Sequence, residues 1–217
     1  MQNDKQIALS ARDFYVLLAL AFAYDMVEVK WPAEDEHSSP NELDSDDEDV
    51  TYEAKPWTYE SLGALLDMSP SRIFESLEKL SVSGLYHGKG LKGRVDKGAL
   101  LQFILHGARY VFPAIKGGIA RGIPTASSSF LFNSKDLIQH TEKGPEYAFV
   151  WSSPKGNARG ASITPLCHQV ISSFFKNVSK NVLLNMALVH FDVLRVGESR
   201  ERKVAEAFFR EHLKWKS

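Results

Sequence analysis

The residues of this chain whose types and spacing suit chemistry are cations and hydroxyls set among glycines, and what they suit is holding anions. Two runs resemble each other: residues 110–125 read YVFPAIKGGIARGIPT and residues 149–164 read FVWSSPKGNARGASIT. Each has an aromatic, β-prone stretch, then KG, then ARG, then a small-residue end, which predicts extended segments broken by glycine turns. Lying side by side, they would present Lys116, Arg121, Lys155 and Arg159 on one edge, a cluster able to grip phosphates or a small anion. The alternative is that Arg121 and Arg159 pin loops by bonding carbonyls or carboxylates. A second basic run, HGKGLKGRV at residues 87–95, sets Lys89, Lys92 and Arg94 among three glycines with no acid. Glycine lets backbone N–H groups approach an anion and the bases add charge, so the run reads as a phosphate-contacting loop or a flexible linker.

Catalytic patterns are missing. Cys167 and His168 are sequence neighbours, whereas a thiol nucleophile and its base come together from distant segments. The seven histidines show no HxxxH or HExxH spacing, and the single cysteine leaves no CxxC. KGGIARG lacks the Lys-Ser/Thr of a nucleotide-binding P-loop, and the serines at 127–129 have no Gly-x-Ser-x-Gly elbow. The expectation is a protein that is not an enzyme and has neither metal nor cofactor.

The element that positions a further set of polar residues is residues 57–85, WTYESLGALLDMSPSRIFESLEKLSVSGL. Thr58 is a good N-cap and Glu60 falls where the helix dipole favours an acid; Leu62, Leu65 and Leu66 follow at helical spacing. Asp67 and Met68 break the pattern, and Ser69-Pro70 restarts it as N-cap and first helical residue. In the second helix Ile73, Leu77 and Leu80 form the apolar stripe. Ser71, Arg72, Glu75, Ser76 and Lys79 are assigned to the opposite, free face. Gly84 ends the unit, and a strand begins at Leu85-Tyr86.

Around this unit, Ser10 can cap a helix running to about Val27, apolar nearly all round and therefore buried. Residues 34–49 hold nine acids and no Lys or Arg, which leaves 26 bases against 18 acids on the rest of the 217-residue chain. A basic body with an acidic loop, an insertion over residues 33–55, is the expected layout. Periodicity returns from Lys97 to Tyr110, residues 125–147 read as a long surface loop, and three helices follow from Pro165. One of these carries Val182, Leu183, Met186, Val189, His190 and Val193 on a single stripe. The divisions suggested are 1–95, 96–165 and 166–217. No apolar run approaches membrane-spanning length, the first residues lack the layout of a signal peptide, and one cysteine fits a reducing, cytoplasmic setting.

The two-helix unit resembles the helix-turn-helix of winged-helix DNA-binding proteins. The runs LLQFILHGARYVFPAIKGGIARGIPTA and VWSSPKGNARGASITPL look like a group of bacterial proteins described as winged-helix, MarR-like regulators. The resemblance implies an α+β fold, mainly α with a small β part: a winged helix-turn-helix with helical N- and C-terminal extensions. It implies a transcriptional regulator binding double-stranded DNA as a homodimer through its terminal helices. The second helix, 69–80, would enter the major groove with Ser69, Ser71, Arg72, Ser76 and Lys79 at the DNA, and Lys89, Lys92 and Arg94 would grip phosphates. The acidic run departs from that pattern. The competing expectations are a winged-helix module, antitoxin-like or defence-associated, that binds a partner protein, and a sensor of an anionic ligand at Lys116, Arg121, Lys155 and Arg159.

Overall fold

The computed structural model describes residues 8–23, 25–29, 51–132, 148–177 and 181–214. Helix α1 (Ala11–Phe22) runs through the centre. Its capping box closes as the sequence suggests: the Ser10 hydroxyl accepts from the Asp13 N–H at 3.3 Å, and the Asp13 carboxylate accepts from the Ser10 N–H at 2.8 Å. Phe14 through Ala19 are all at most 1 % exposed. The Phe14 ring stacks on Phe112 at 5.2 Å and meets Phe103 and Phe191 edge-on at 5.5 and 5.3 Å, which joins three later segments to this helix.

The helix stops at Phe22 rather than near Val27. Ala23 is extended, and Asp25–Val29 is strand β1, paired antiparallel with β2 (Thr51–Lys55). Val27, Val29 and Thr51 are β-branched and suit a ladder better than a helix. The expected loop over 33–55 therefore ends in a strand; its acidic stretch, residues 34–49, lies outside the described residues, as do 133–147 of the expected surface loop.

Helix α2 (Tyr59–Leu66) begins at Thr58, which forms a capping box with Ser61. Asp67 closes the helix in the left-handed region at φ 56°, and α3 (Pro70–Val82) restarts at Ser69-Pro70. A Cβ on Gly63 would lie 2.6 Å from the Met68 carbonyl oxygen, so glycine is what lets the turn fold back so closely. Ile73, Leu77 and Leu80 are buried as the periodicity predicts. A short antiparallel ribbon follows: β3 (Tyr86–His87), a 3-10 turn (Gly90–Lys92) and β4 (Arg94–Val95).

Asp96 caps α4 (Lys97–Phe103), which continues through a π-helical turn (Ile104–Ala108) into α5 (Arg109–Val111). Strand β5 (Lys116–Thr125) is antiparallel to both β6 (Phe149–Ser152) and β7 (Ala158–Ile163), which are parallel to each other, and the three close into a barrel. The chain ends in α6 (Gln169–Asn177), α7 (Val182–Val196) and α8 (Ser199–His212).

One apolar cluster draws on residues of all three segments suggested by sequence. Most of α7 from Leu184 to Leu194 is buried, a wider surface than the single predicted stripe, and Val182, assigned to that stripe, is 42 % exposed. Helix α8 packs Phe208 and Phe209 on Phe22 of α1. The apolar faces of the terminal helices that argued for a dimer are thus largely covered within one chain.

Candidate functional site

Helix α3 presents only part of the face its sequence suggests. Ser71 and Arg72 are exposed, as are Glu75 and Glu78, and Phe74 is 50 % exposed between them. Ser76 is buried and donates its hydroxyl to Asp13 on α1 at 2.7 Å, which removes it from the residues able to touch a nucleic acid. The cue is in the spacing: position 76 lies three residues after Ile73 and four before Leu80, on the buried stripe. Lys79 ion-pairs with the same carboxylate at 3.6 Å, its side chain 41 % exposed, so its charge is shared with the interior. Burial alone would raise the Asp13 carboxyl. The hydrogen bonds from Ser10 and Ser76 and the charge of Lys79 outweigh burial and hold it below the usual range. Ser69 makes no capping bond to α3, and its hydroxyl sits 3.4 Å from that of Ser71. A cleft of about 240 Å³ lies beside these residues, lined by Arg12, Arg72 and Lys79 but also by Asp13, Asp67 and Glu75.

The glycine-rich basic run is the ribbon β3–β4. Lys89, Lys92 and Arg94 are all exposed on it. The ribbon is braced where it meets the protein. The Tyr86 hydroxyl donates to the Gly90 carbonyl at 2.7 Å, Ser81 at the end of α3 donates to the Gly88 carbonyl at 3.4 Å, and His87 Nε2 lies 3.0 Å from Asp96 Oδ2. Residues 88–93, GKGLKG, have the glycine spacing of a dinucleotide loop. That loop joins a parallel strand to a helix, whereas these residues turn an antiparallel ribbon.

The two KG–ARG runs do lie side by side, since β5 pairs with β7 and sets Arg121 directly opposite Arg159. Lys155 is exposed in the turn between β6 and β7, next to Gly156. Lys116 is at the far end of β5, opposite Ile163, with its ammonium 5.1 Å from the centre of the Phe149 ring. The four cations therefore do not form one edge cluster. Arg121 donates its Nε–H to the Gly156 carbonyl at 2.7 Å, the loop-pinning role that stood as the alternative. The repeated glycines serve closure of the barrel: a Cβ on Gly122 would run into the Trp151 carbonyl, and one on Gly156 into the backbone of Gly122.

Sequence reading missed a buried ion pair on α7. Asp192 Oδ2 accepts from Trp151 Nε1–H at 2.6 Å and from the Thr125 hydroxyl at 2.7 Å, while Arg195 Nη1 stands 3.4 Å from Oδ1. Both charged side chains are 1 % exposed. Burial pushes the carboxyl up against the opposing pull of Arg195 and its two donors. A lone acid in the apolar run VHFDVLRV, three residues before an arginine, was the available signal.

Among the described residues no group of three or more His, Cys, Asp or Glu is placed to hold a metal, and no helix is long and apolar enough to cross a membrane. Burial pushes the Cys167 thiol up to about 11, which leaves it a poor nucleophile. No known protein family, curated protein or solved structure matches the chain.

Proposed function

We propose that this protein is a cytoplasmic DNA-binding regulator of winged helix-turn-helix type that engages double-stranded DNA as two copies. The observation that carries the reading is the ribbon with exposed Lys89, Lys92 and Arg94, braced against the end of α3, a helix whose first turn offers Ser69, Ser71 and Arg72 to solvent. The ribbon supplies phosphate contacts without sequence information, and Arg72 and Glu75 supply the base-edge chemistry, Arg toward guanine and Glu toward the cytosine amino group. Glu75 and Glu78 repel phosphates, so the helix must meet bases rather than backbone along that side. Three ribbon bases in each of two copies give about six phosphate-directed cations and a log–log salt slope of roughly −5. Selection of genomic fragments by the purified protein tests this. Enrichment of a common sequence is expected, and a fragment pool indistinguishable from input would overturn it.

A second reading has its own support. Phe74 at 50 % and Val82 at 68 % exposure stand on the outer side of α3 among Glu75 and Glu78. An apolar anchor ringed by acids suits a partner protein better than a duplex. The same fold would then act as an interaction module, and the ribbon would meet acids of the partner.

A further inference from the structure

Three arginines from separate helices converge on an open cavity of about 320 Å³ formed by α5, the end of α7 and the start of α8. Its lining is Arg109, Tyr110, Leu194, Arg195 and Arg202, with no acid among these residues. The guanidiniums are held in place from behind. Arg195, 1 % exposed, is fixed by Asp192 at 3.4 Å and by a hydrogen bond to the Thr164 carbonyl. Arg202 donates its Nε–H to the Gly197 carbonyl at 2.7 Å. Arg109 lies over the Tyr110 ring, 4.6 Å from its centre, and donates to that residue's hydroxyl. After these bonds are made, the buried Nε–H groups of Arg109 and Arg195 still have no acceptor.

We propose that this cavity is a binding site for a phosphate-type dianion carried by a small molecule. The charge argument comes first. Asp192 neutralises only one of the three guanidiniums, so two positive charges line a cavity to which the described residues supply no further counter-charge, and a dianion restores balance. The donors give the second argument. Arg109 and Arg202 are only partly buried, so they can turn guanidinium N–H donors toward an acceptor in the cavity, whereas the two unpaired Nε–H groups are buried behind it. Guanidinium groups from Arg109 and Arg202, on two different helices, suit a phosphate-type oxyanion, while that of Arg195 is held inward by Asp192 and the Thr164 carbonyl. The backbone adds a third sign: the π-helical turn at Ile104–Ala108 directly precedes Arg109, and such turns accompany functional sites more often than chance. The cavity volume admits a phosphorylated metabolite and not a duplex. The site draws on neither the ribbon, nor α3, nor the KG–ARG cations, and so does not depend on the DNA-binding reading.

Calorimetric titration of the full chain with inorganic phosphate and with pyrophosphate tests the assignment. The expected result is one saturable site, weakened at least about tenfold when Arg109→Gln and Arg202→Gln are combined and unchanged in Arg210→Gln, an exposed residue of α8 outside the lining. Arg195→Gln is unsuitable, because it strips Asp192 of its counter-charge. Circular dichroism of the double variant establishes that it is folded before its affinity is compared. A lack of saturable binding up to about 10 mM, or equal affinity in the double variant, would overturn the proposal. Binding of a 5′-phosphorylated oligonucleotide but of neither phosphate nor pyrophosphate would overturn the small-molecule assignment.

Discussion

The Ser76 hydroxyl on α3 donates to Asp13 on α1 across 2.7 Å, between two buried side chains 63 residues apart in sequence. This bond, with the Lys79 ion pair on the same carboxylate, fixes the rotation of α3 about its own axis and so decides which residues the helix offers outward. Asp13→Ala leaves the Ser76 hydroxyl buried without its acceptor and removes the N-terminal cap partner of Ser10. The expected loss in a urea titration is about 1–3 kcal/mol. A change near zero would mean that α3 is held by its apolar stripe alone.

The ribbon should govern affinity more than the helix does. Replacing Lys89, Lys92 and Arg94 by alanine should lower DNA affinity across all sequences and flatten the salt slope by roughly 0.9 for each phosphate no longer neutralised. Arg72→Ala should relax sequence preference, at a cost of about 1–3 kcal/mol on the preferred site. Phe74→Ala should leave DNA binding intact. If it abolishes capture of a partner protein while the ribbon variants keep it, the interaction-module reading is the better one. Gel-shift titrations at several salt concentrations, beside affinity capture, separate these outcomes.

The His190 ring makes the folded state sensitive to acid. It stacks on Phe208 at 4.0 Å and is 4 % exposed, and its Nδ1–H donates to the Met186 carbonyl at 2.7 Å. Burial first, then the nearby His212, pulls its pKa down to about 4 from an ordinary value of 6.5. The unfolded chain takes up this proton as pH falls through 6.5, whereas the folded chain resists until about 4. Stability is therefore lost on acidification across that window, by about 3 kcal/mol in total. Denaturant melts of wild type and His190→Phe between pH 7 and about pH 4 should differ in slope. The variant keeps the aromatic stack but does not titrate at this position.

Asp192 is the joint between the β5–β6–β7 barrel and α7. Asp192→Ala strands Arg195 as an uncompensated buried charge and leaves the Trp151 and Thr125 donors without an acceptor. A loss of about 3–5 kcal/mol is expected, with a shift in tryptophan emission. Thr125→Val removes one donor and should cost far less. Equal losses for the two variants would show that the ion pair contributes little.

Much of the local structure could be read directly. Thr58 caps α2 with its side chain, Pro70 opens α3 at the first helical position although Ser69 makes no side-chain cap bond, Ile73, Leu77 and Leu80 are buried, and the two KG–ARG runs form strands. Each of these depends on residues a few positions apart, on spacing that a 3.6-residue or two-residue period makes visible. The end of α1 is not legible in this way, because an apolar run suits helix and strand alike. Pairing with β2, more than twenty residues later, makes the choice.

What the sequence by itself determined about this protein is where α1, α2 and α3 begin, the strand character of the KG–ARG runs and the basic, glycine-rich composition of residues 87–95. Only the tertiary structure decided that Ser76 meets Asp13, that Arg121 pins a loop, that Lys116 stands apart from the other cations, and that Arg109, Arg195 and Arg202 meet at one cavity. The physical reason is distance along the chain. Asp13 and Ser76, Trp151 and Asp192, or Arg109 and Arg202 are brought together by the packing of whole elements, and no local period records which face of an element its neighbour will cover.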